Sequence, residues 1–291
     1  MKSNKAKKTN EIYNKLVEGV EEIINNGDYE KFLKFSKNFH KYSFNNIVLI
    51  FSQNQNATMV AGFKAWQKMN RKLKKGAKGI QIMYPIKRTY TKKIEGQSSL
   101  LEDSTDNKET KQIEYFTYRP TYVFDVSDTV GDPLPLDSGK INSDSMIDFF
   151  NFLKEYSPYP VEEDELYGGC NGYWNSNNKK IVLKKWLSID DKTSVLLHEL
   201  THAFYDDFDY KENRDLSETF VESVAFIVAD YFGLDTSSCS FNYITGWADG
   251  DITKVIELGD KIQKSANDFI KKLENEFYNN NIKIEMLGGV V

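Results

Sequence analysis

Residues 188–206 constrain this chain more than any other stretch, because they read as one helix carrying His198, Glu199 and His202 in the pattern H-E-x-x-H. On a helix of about 3.6 residues per turn, side chains four apart point the same way, so two imidazoles can offer ring nitrogens to one tetrahedral ion. Glu199, one step round from His198, can then serve as general base toward a water held at that ion. Ser188 opens an S-x-x-D capping box with Asp191. Val195, Leu196, Leu197, Leu200, Ala203 and Phe204 surround the polar trio, and histidines in apolar surroundings need partners. The chain has three histidines in all, which makes a chance pairing at this spacing a poor explanation.

A hydrolytic zinc site needs a third protein ligand and an open fourth position. Residues 216–232 supply the candidates on a second apolar helix, with Gly233 as its expected stop. Glu218 and Glu222 share one face of it, and carboxylates on an apolar helix are costly unless they meet a cation or a donor. The natural division makes Glu218 the third ligand and Glu222 the outer partner that accepts a hydrogen bond from a ligand histidine. The alternative exchanges the two. The expected cofactor is Zn2+, with other divalent metals as alternatives.

The sequence H-E-L-T-H-A, followed by a helix with Glu218-Thr-Phe-Val-Glu222-Ser-Val-Ala-Phe, resembles the gluzincin arrangement of thermolysin-type enzymes. It is closer still to the metallopeptidase domain of the ImmA/IrrE and ArdC families. The acidic stretch between His202 and Glu218 is short by comparison. In thermolysin-like sites a donor stabilises the tetrahedral oxyanion; Tyr243, four residues before Trp247, is a candidate for that catalytic role, with a plain core tyrosine as the other reading.

A net charge of -5 conceals a division. Residues 1–135 hold 23 Lys and Arg against 15 Asp and Glu, whereas the remainder is acidic. Residues 31–94 contain no acid at all and 15 basic residues. A solvated surface normally intersperses both signs, so this stretch points to a polyanion as partner. Aromatic residues lie among the charges: Tyr42, Phe44, Phe63, Trp66, Tyr84 and Tyr90 beside Arg71, Lys72, Lys74, Lys75 and Lys78. Rings that stack on bases and cations that track phosphates together make a single-strand platform. A duplex reader would more often bring a recognition helix, and none is evident. No apolar run approaches the roughly 20 residues of a membrane span, and the basic, polar start lacks the core of a secretory signal. A cytoplasmic protein with reduced Cys170 and Cys239 is expected.

The periodicity predicts helices over 10–26, 28–39, from Ser43 onward, 143–156 and 253–277. Residues 80–86 read as a strand, with 113–126 returning antiparallel to 79–90 and Pro120 at a bulge or an edge. Residues 71–79 read as a basic loop, 92–111 as a polar hairpin tip and 131–142 as the connection between domains. Residues 167–184 read as two strands with an Asn-rich turn. The strand leading into the H-E-x-x-H helix would have a free edge for an extended peptide.

Four further segments look like the N-terminal domain of ArdC-type antirestriction proteins: Tyr42-Ser-Phe-Asn45-Asn46, residues 57–66 through Trp66, Lys74-Lys75-Gly-Ala-Lys78-Gly-Ile80, and residues 119–126. With the peptidase-like part, the resemblance covers residues 10 to 270 in the family's order. It implies an α+β chain in two domains. Residues 1–135 would be a mixed α/β single-stranded-DNA-binding domain with an antiparallel sheet, and 136–291 a zincin-like metallopeptidase domain. The implied role, on mobile elements or phages, is to shield entering DNA from restriction. Tyr42, Asn45, Trp66, Arg71, Lys72, Lys74, Lys75 and Lys78 are then the candidate DNA contacts, single-stranded DNA and a protein substrate the expected partners. The other function class is a non-catalytic single-strand-binding shield whose metal site is structural or vestigial. A metal-dependent nuclease fits less well, for want of a second metal.

Overall fold

Apolar residues at helical spacing build the first layer. The computed structural model describes residues 2–93, 110–134, 143–208, 212–236 and 251–279. Helix α1 (Lys2–Asn25) buries Ile12, Leu16, Val20 and Ile23 along one stripe, as their spacing demands. It starts well before the apolar pattern does, because nothing in its lysine-rich lead-in breaks a helix. Helix α2 (Tyr29–Ser36) buries Phe32, Leu33 and Phe35. Ser43 stands at the N-cap of α3 (Phe44–Gln53) as expected, though its side chain makes no capping bond. Gly19 lets α1 and α3 approach closely, since a Cβ there would lie 2.9 Å from Val48 Cγ1.

The main sheet lies beside α3. Strand β1 (Val60–Ala61) and the short helix α4 (Phe63–Lys68) lead into β2 (Arg71–Leu73). Strands β3 (Ile80–Lys93) and β4 (Thr110–Asp125) pair antiparallel in unbroken register from Ile80↔Val123 to Lys93↔Thr110, which is the predicted return. Pro120 faces Met83 in that register, so it marks an edge and not a bulge. β1 covers β4 only at Phe124 and Asp125.

The outer edge of β3 is closed by α3. Asn46 donates from Nδ2 to the Met83 carbonyl and accepts the Met83 N–H at Oδ1, both at 2.9 Å. Gln53 does the same for Gln81, again at 2.9 Å in each direction. Two amide side chains on one helix face thus stand in for a neighbouring strand. The next alternate position is Pro85, which has no N–H to satisfy.

The basic segment expected to be loop is in part a strand. β2 pairs antiparallel with β5 (Thr129–Gly131); three residues are too few for alternation to be read from sequence.

Helix α5 (Ser143–Tyr156) buries Met146, Phe149, Phe150 and Leu153, the residues predicted to face inward. Three strands follow, β6 (Val161–Asp164), β7 (Gly172–Asn175) and β8 (Lys180–Lys184), in the order β6-β8-β7. β6 runs parallel and β7 antiparallel to β8. The strand leading into the H-E-x-x-H helix is therefore central and paired on both sides. The free edge expected of it belongs to β7. The sequence of β6, with one apolar residue, gave no sign that a strand would occupy the other side. Asn175 Oδ1 accepts the N–H groups of Asn177 and Asn178 at 3.1 and 3.0 Å, holding the predicted turn.

Helices α6 (Ile189–Tyr205), α7 (Arg214–Tyr231) and α8 (Ile252–Asn279) complete the α+β fold. Buried residues from Ile12 to Leu273 form one hydrophobic cluster that includes both expected domains. Gln263 Nε2 donates to the His40 carbonyl at 3.0 Å, and a Cβ at Gly259 would overlap the Phe44 ring. The expected connection over 131–142 is described only as far as residue 134. Among the described residues, no helix is long and apolar enough to cross a membrane.

Candidate metal centre

The capping box predicted for α6 is formed. Ser188 Oγ accepts the Asp191 N–H at 3.1 Å and donates to its carboxylate at 2.7 Å. One helical turn then separates His198 from His202, whose ring centroids lie 4.9 Å apart. α7 brings Glu218 to both. Its Oε2 is 3.5 Å from His198 Nε2 and 3.7 Å from His202 Nε2, and all three donor atoms lie within 4.8 Å of one another.

These gaps test whether an ion fits. A tetrahedral metal at about 2.0–2.1 Å from each donor would space its ligands by about 3.3–3.4 Å. The two separations from Glu218 are close to that, and longer than good N–H···O bonds. The three residues therefore suit a divalent ion.

His202 has its tautomer set from behind. Its Nδ1 lies 2.8 Å from Asp206 Oδ2; a carboxylate only accepts, so Nδ1 carries the proton and Nε2 is left to face Glu218. Burial alone would lower the His202 pKa, but Asp206 and Glu218 outweigh it and push it up to about 9. Burial likewise opposes ionisation of Asp206, yet His202, the Ser217 hydroxyl at 2.6 Å and the Phe208 N–H at 3.2 Å hold its carboxyl below the usual range. The partner predicted for this place was Glu222. Glu222 is exposed and meets His198 and Glu218 only through space, its pKa raised chiefly by partial burial. Asp206 was the residue missed. Its signal was its position four after His202, in the acidic stretch that ends α6.

Glu199 is buried, 6% exposed. Burial raises its pKa, against the pull of the two histidines and of the Trp174 N–H, which donates to it. That amide belongs to the free edge of β7. Lys184 N–H bonds to the Asn171 carbonyl at 2.9 Å, and by antiparallel alternation Gly172 and Trp174 turn their backbone groups away from β8. Gly172 permits this closeness, since a Cβ there would run into Val195 of α6. Tyr243, proposed as oxyanion donor, lies outside the described residues.

The candidate DNA contacts separate into two groups. Trp66 is fully buried and its Nε1 donates to the Phe124 carbonyl at 2.9 Å, so its ring is closed to a base. Tyr42 is half-buried against Phe39 and donates to the Val60 carbonyl at 3.0 Å. Arg71 ties β2 to β5, with Nε 2.7 Å from Thr129 Oγ1 and the guanidinium on the Asp132 carbonyl. Asn45 Oδ1 is buried, with no hydrogen-bond partner among the described residues. Lys72, Lys74, Lys75 and Lys78 are exposed, Lys74 donating to the Ser127 carbonyl at 2.7 Å.

Residues 2–124 match the family model for the N-terminal domain of anti-restriction factor ArdC. Residues 2–124 thus carry a domain of the kind found at the N-terminus of ArdC. An uncharacterized Bacillus anthracis protein, pXO2-81, is 22% identical over 307 residues, covering 92% of this chain and 51% of its own length. The chain thus spans about half the length of that curated relative. Two crystal structures of the antirestriction ArdC protein from the R388 plasmid are similar to it. The metal-free one is 16% identical with a TM-score of 0.49, over 81% of this chain and 86% of that one. The Mn(II)-bound one is 15% identical with a TM-score of 0.47, over 84% and 86%.

Proposed function

We propose that this chain is an ArdC-type protein that binds single-stranded DNA through residues 1–135 and hydrolyses peptide bonds at a metal centre in residues 136–291. The observation that carries the hydrolytic part is the convergence of His198 Nε2, His202 Nε2 and Glu218 Oε2 beside the buried carboxylate of Glu199. Held by those three atoms, Zn2+ or Mn2+ would supply Lewis acidity toward a peptide carbonyl and an attacking water. Glu199, its proton affinity raised by burial, is the group to take the proton of that water and pass it to the leaving amine. Asp206 and Ser217 keep His202 in the required tautomer. The outward backbone groups of Gly172 and the Trp174 carbonyl offer an extended peptide a strand to pair with.

The test is one preparation loaded with Zn2+ or Mn2+ and its Glu199→Gln variant, assayed on a peptide library with and without oligothymidylate. The variant should keep the metal and lose cleavage. Metal-loaded parent that cleaves nothing under either condition rejects the hydrolase. The acid-free run over residues 31–94 favours a second reading, in which occupation of single strands alone shields DNA. That reading requires Glu199→Gln to protect DNA from a restriction endonuclease as well as the parent does.

A further inference from the structure

The β3–β4 pair has two faces. Ile80, Ile82 and Val123 turn one of them into the core. Side chains alternate along a strand, so Phe116, Tyr118, Pro120, Tyr122 and Phe124 of β4 share the other. Phe116, Tyr118 and Tyr122 are 58%, 55% and 55% exposed. Opposite them stand Lys87, Pro85 and Gln81, with Gly79 beyond, where a Cβ would press on the Tyr122 ring at 2.9 Å. On β3 the same face carries Met83 opposite Pro120 and Lys87 opposite Phe116. Folding does not account for three exposed rings on one side of a two-stranded ribbon, and an apolar patch of this kind marks a binding surface.

Charge identifies the occupant. The stripe starts beside the turn that bears Lys74, Lys75 and Lys78, all exposed, and reaches Lys87, which is paired with Glu114 at 2.8 Å. It lies against the stretch with 15 basic residues and no acid. A protein partner would match apolar rings with apolar side chains. Flat rings flanked by cations fit a ligand of flat bases on an anionic backbone.

We propose that Phe116, Tyr118 and Tyr122 form the surface on which the bases of a single nucleic-acid strand stack, with Lys75 and Lys78 taking phosphates at one end. This rests on the single-strand reading above and gives it a location apart from Tyr42, Trp66 and Arg71.

The experiment is fluorescence anisotropy of the full chain with an oligothymidylate of about 20 nucleotides over a salt series. Phe116→Ala and Tyr118→Ala should each weaken binding by about tenfold while leaving the salt slope unchanged. Lys75→Gln with Lys78→Gln should make the slope shallower. Tyr118→Phe should bind as the parent does, and the indole of Tyr118→Trp should be quenched on addition of the strand. Unchanged melting of the ring variants separates lost stacking from unfolding. If the parent binds and Phe116→Ala and Tyr118→Ala bind equally well, the stripe is not the surface, although the single-strand reading survives. A parent that binds no strand overturns both. Ring variants that change a dimer to a monomer but not the affinity would make the stripe a contact between copies, and the proposal fails.

Discussion

The hydroxyls of Tyr29 and Ser223 lie 2.9 Å apart, joining the second helix of the chain to the helix that carries Glu218. Ser223 Oγ gives its own proton to the Thr219 carbonyl at 2.6 Å, so Tyr29 is the donor. Burial pushes the Tyr29 pKa up to about 12. The folded-state value exceeds the unfolded one, so the contribution is intact below the ordinary value of 10.0 and is lost as pH rises toward 12. That loss is about 2–3 kcal/mol. Urea unfolding of Tyr29→Phe should show a cost of about 1 kcal/mol at neutral pH and a shallower alkaline decline than the parent. An identical alkaline slope would refute this.

His40 governs the acid side. Its Nδ1 lies 3.1 Å from the Lys37 carbonyl and so carries the proton, while Nε2 is buried with no hydrogen-bond partner among the described residues. Burial lowers its pKa, Lys41 and Lys271 add to this, and the Lys37 carbonyl and Glu274 oppose. A base with a depressed folded pKa contributes stability above its unfolded value, 6.5, which is lost as pH falls through the folded one. Stability of the parent should therefore decline on acidification below about 6.5 more steeply than that of His40→Gln, as read by chemical unfolding in a buffer series.

Asp206 supports His202, the proposed metal ligand. Asp206→Asn should reduce affinity for Zn2+ or Mn2+ by about 10–100-fold, measured by competition with a chelator, with little change in melting. Ser217→Ala should have a smaller effect in the same direction. Unaltered affinity in Asp206→Asn would show that the carboxylate does not act on the site.

Asn46 supplies two of the bonds that close β3. Asn46→Leu is near in size but leaves the Met83 N–H and carbonyl facing an apolar side chain, at about 1–3 kcal/mol for each orphaned group. Gln53→Leu should cost less, because its contact with Gln81 is exposed and water can replace it. Equal costs would contradict the burial argument; denaturant midpoints decide.

Gly259 sits inside α8, where alanine would ordinarily gain about 1 kcal/mol of helix propensity. The Phe44 ring occupies the space a methyl needs, and overpacking costs about 1–3 kcal/mol. Gly259→Ala should therefore destabilise on balance, and Phe44→Leu in that background should recover part of the loss. A stabilised Gly259→Ala in calorimetry would refute the close contact.

What was legible in the sequence is what a single period encodes. Ile12, Leu16, Val20 and Ile23 announce α1, and Met146, Phe149, Phe150 and Leu153 announce α5, because each stripe repeats over several turns. His198, Glu199 and His202 are legible because their geometry is local to one helix. The role of Glu218 needed a second helix, and the structure brings it to both histidines. Asp206 was legible only as a position four after His202, since an acidic residue after a helix is usually solvated and its bonds with His202 and Ser217 are what distinguish it. Trp66 and Arg71 were read as ligand-facing, but their destinations, the Phe124 carbonyl and the Thr129 hydroxyl, are tertiary. The place of β8 between two strands was hidden for the same reason: β6 has too few apolar residues to declare itself.

The seating of Phe44 on Gly259 carries a consequence for how this chain lives. The match to the ArdC N-terminal domain ends at residue 124, yet α1 to α3 pack against α7 and α8, so that limit is not a limit of cooperativity. A protease nicking between the two parts would bare an oily wall on each fragment. The polypeptide is thus expected to melt, and to be cleared, as one body.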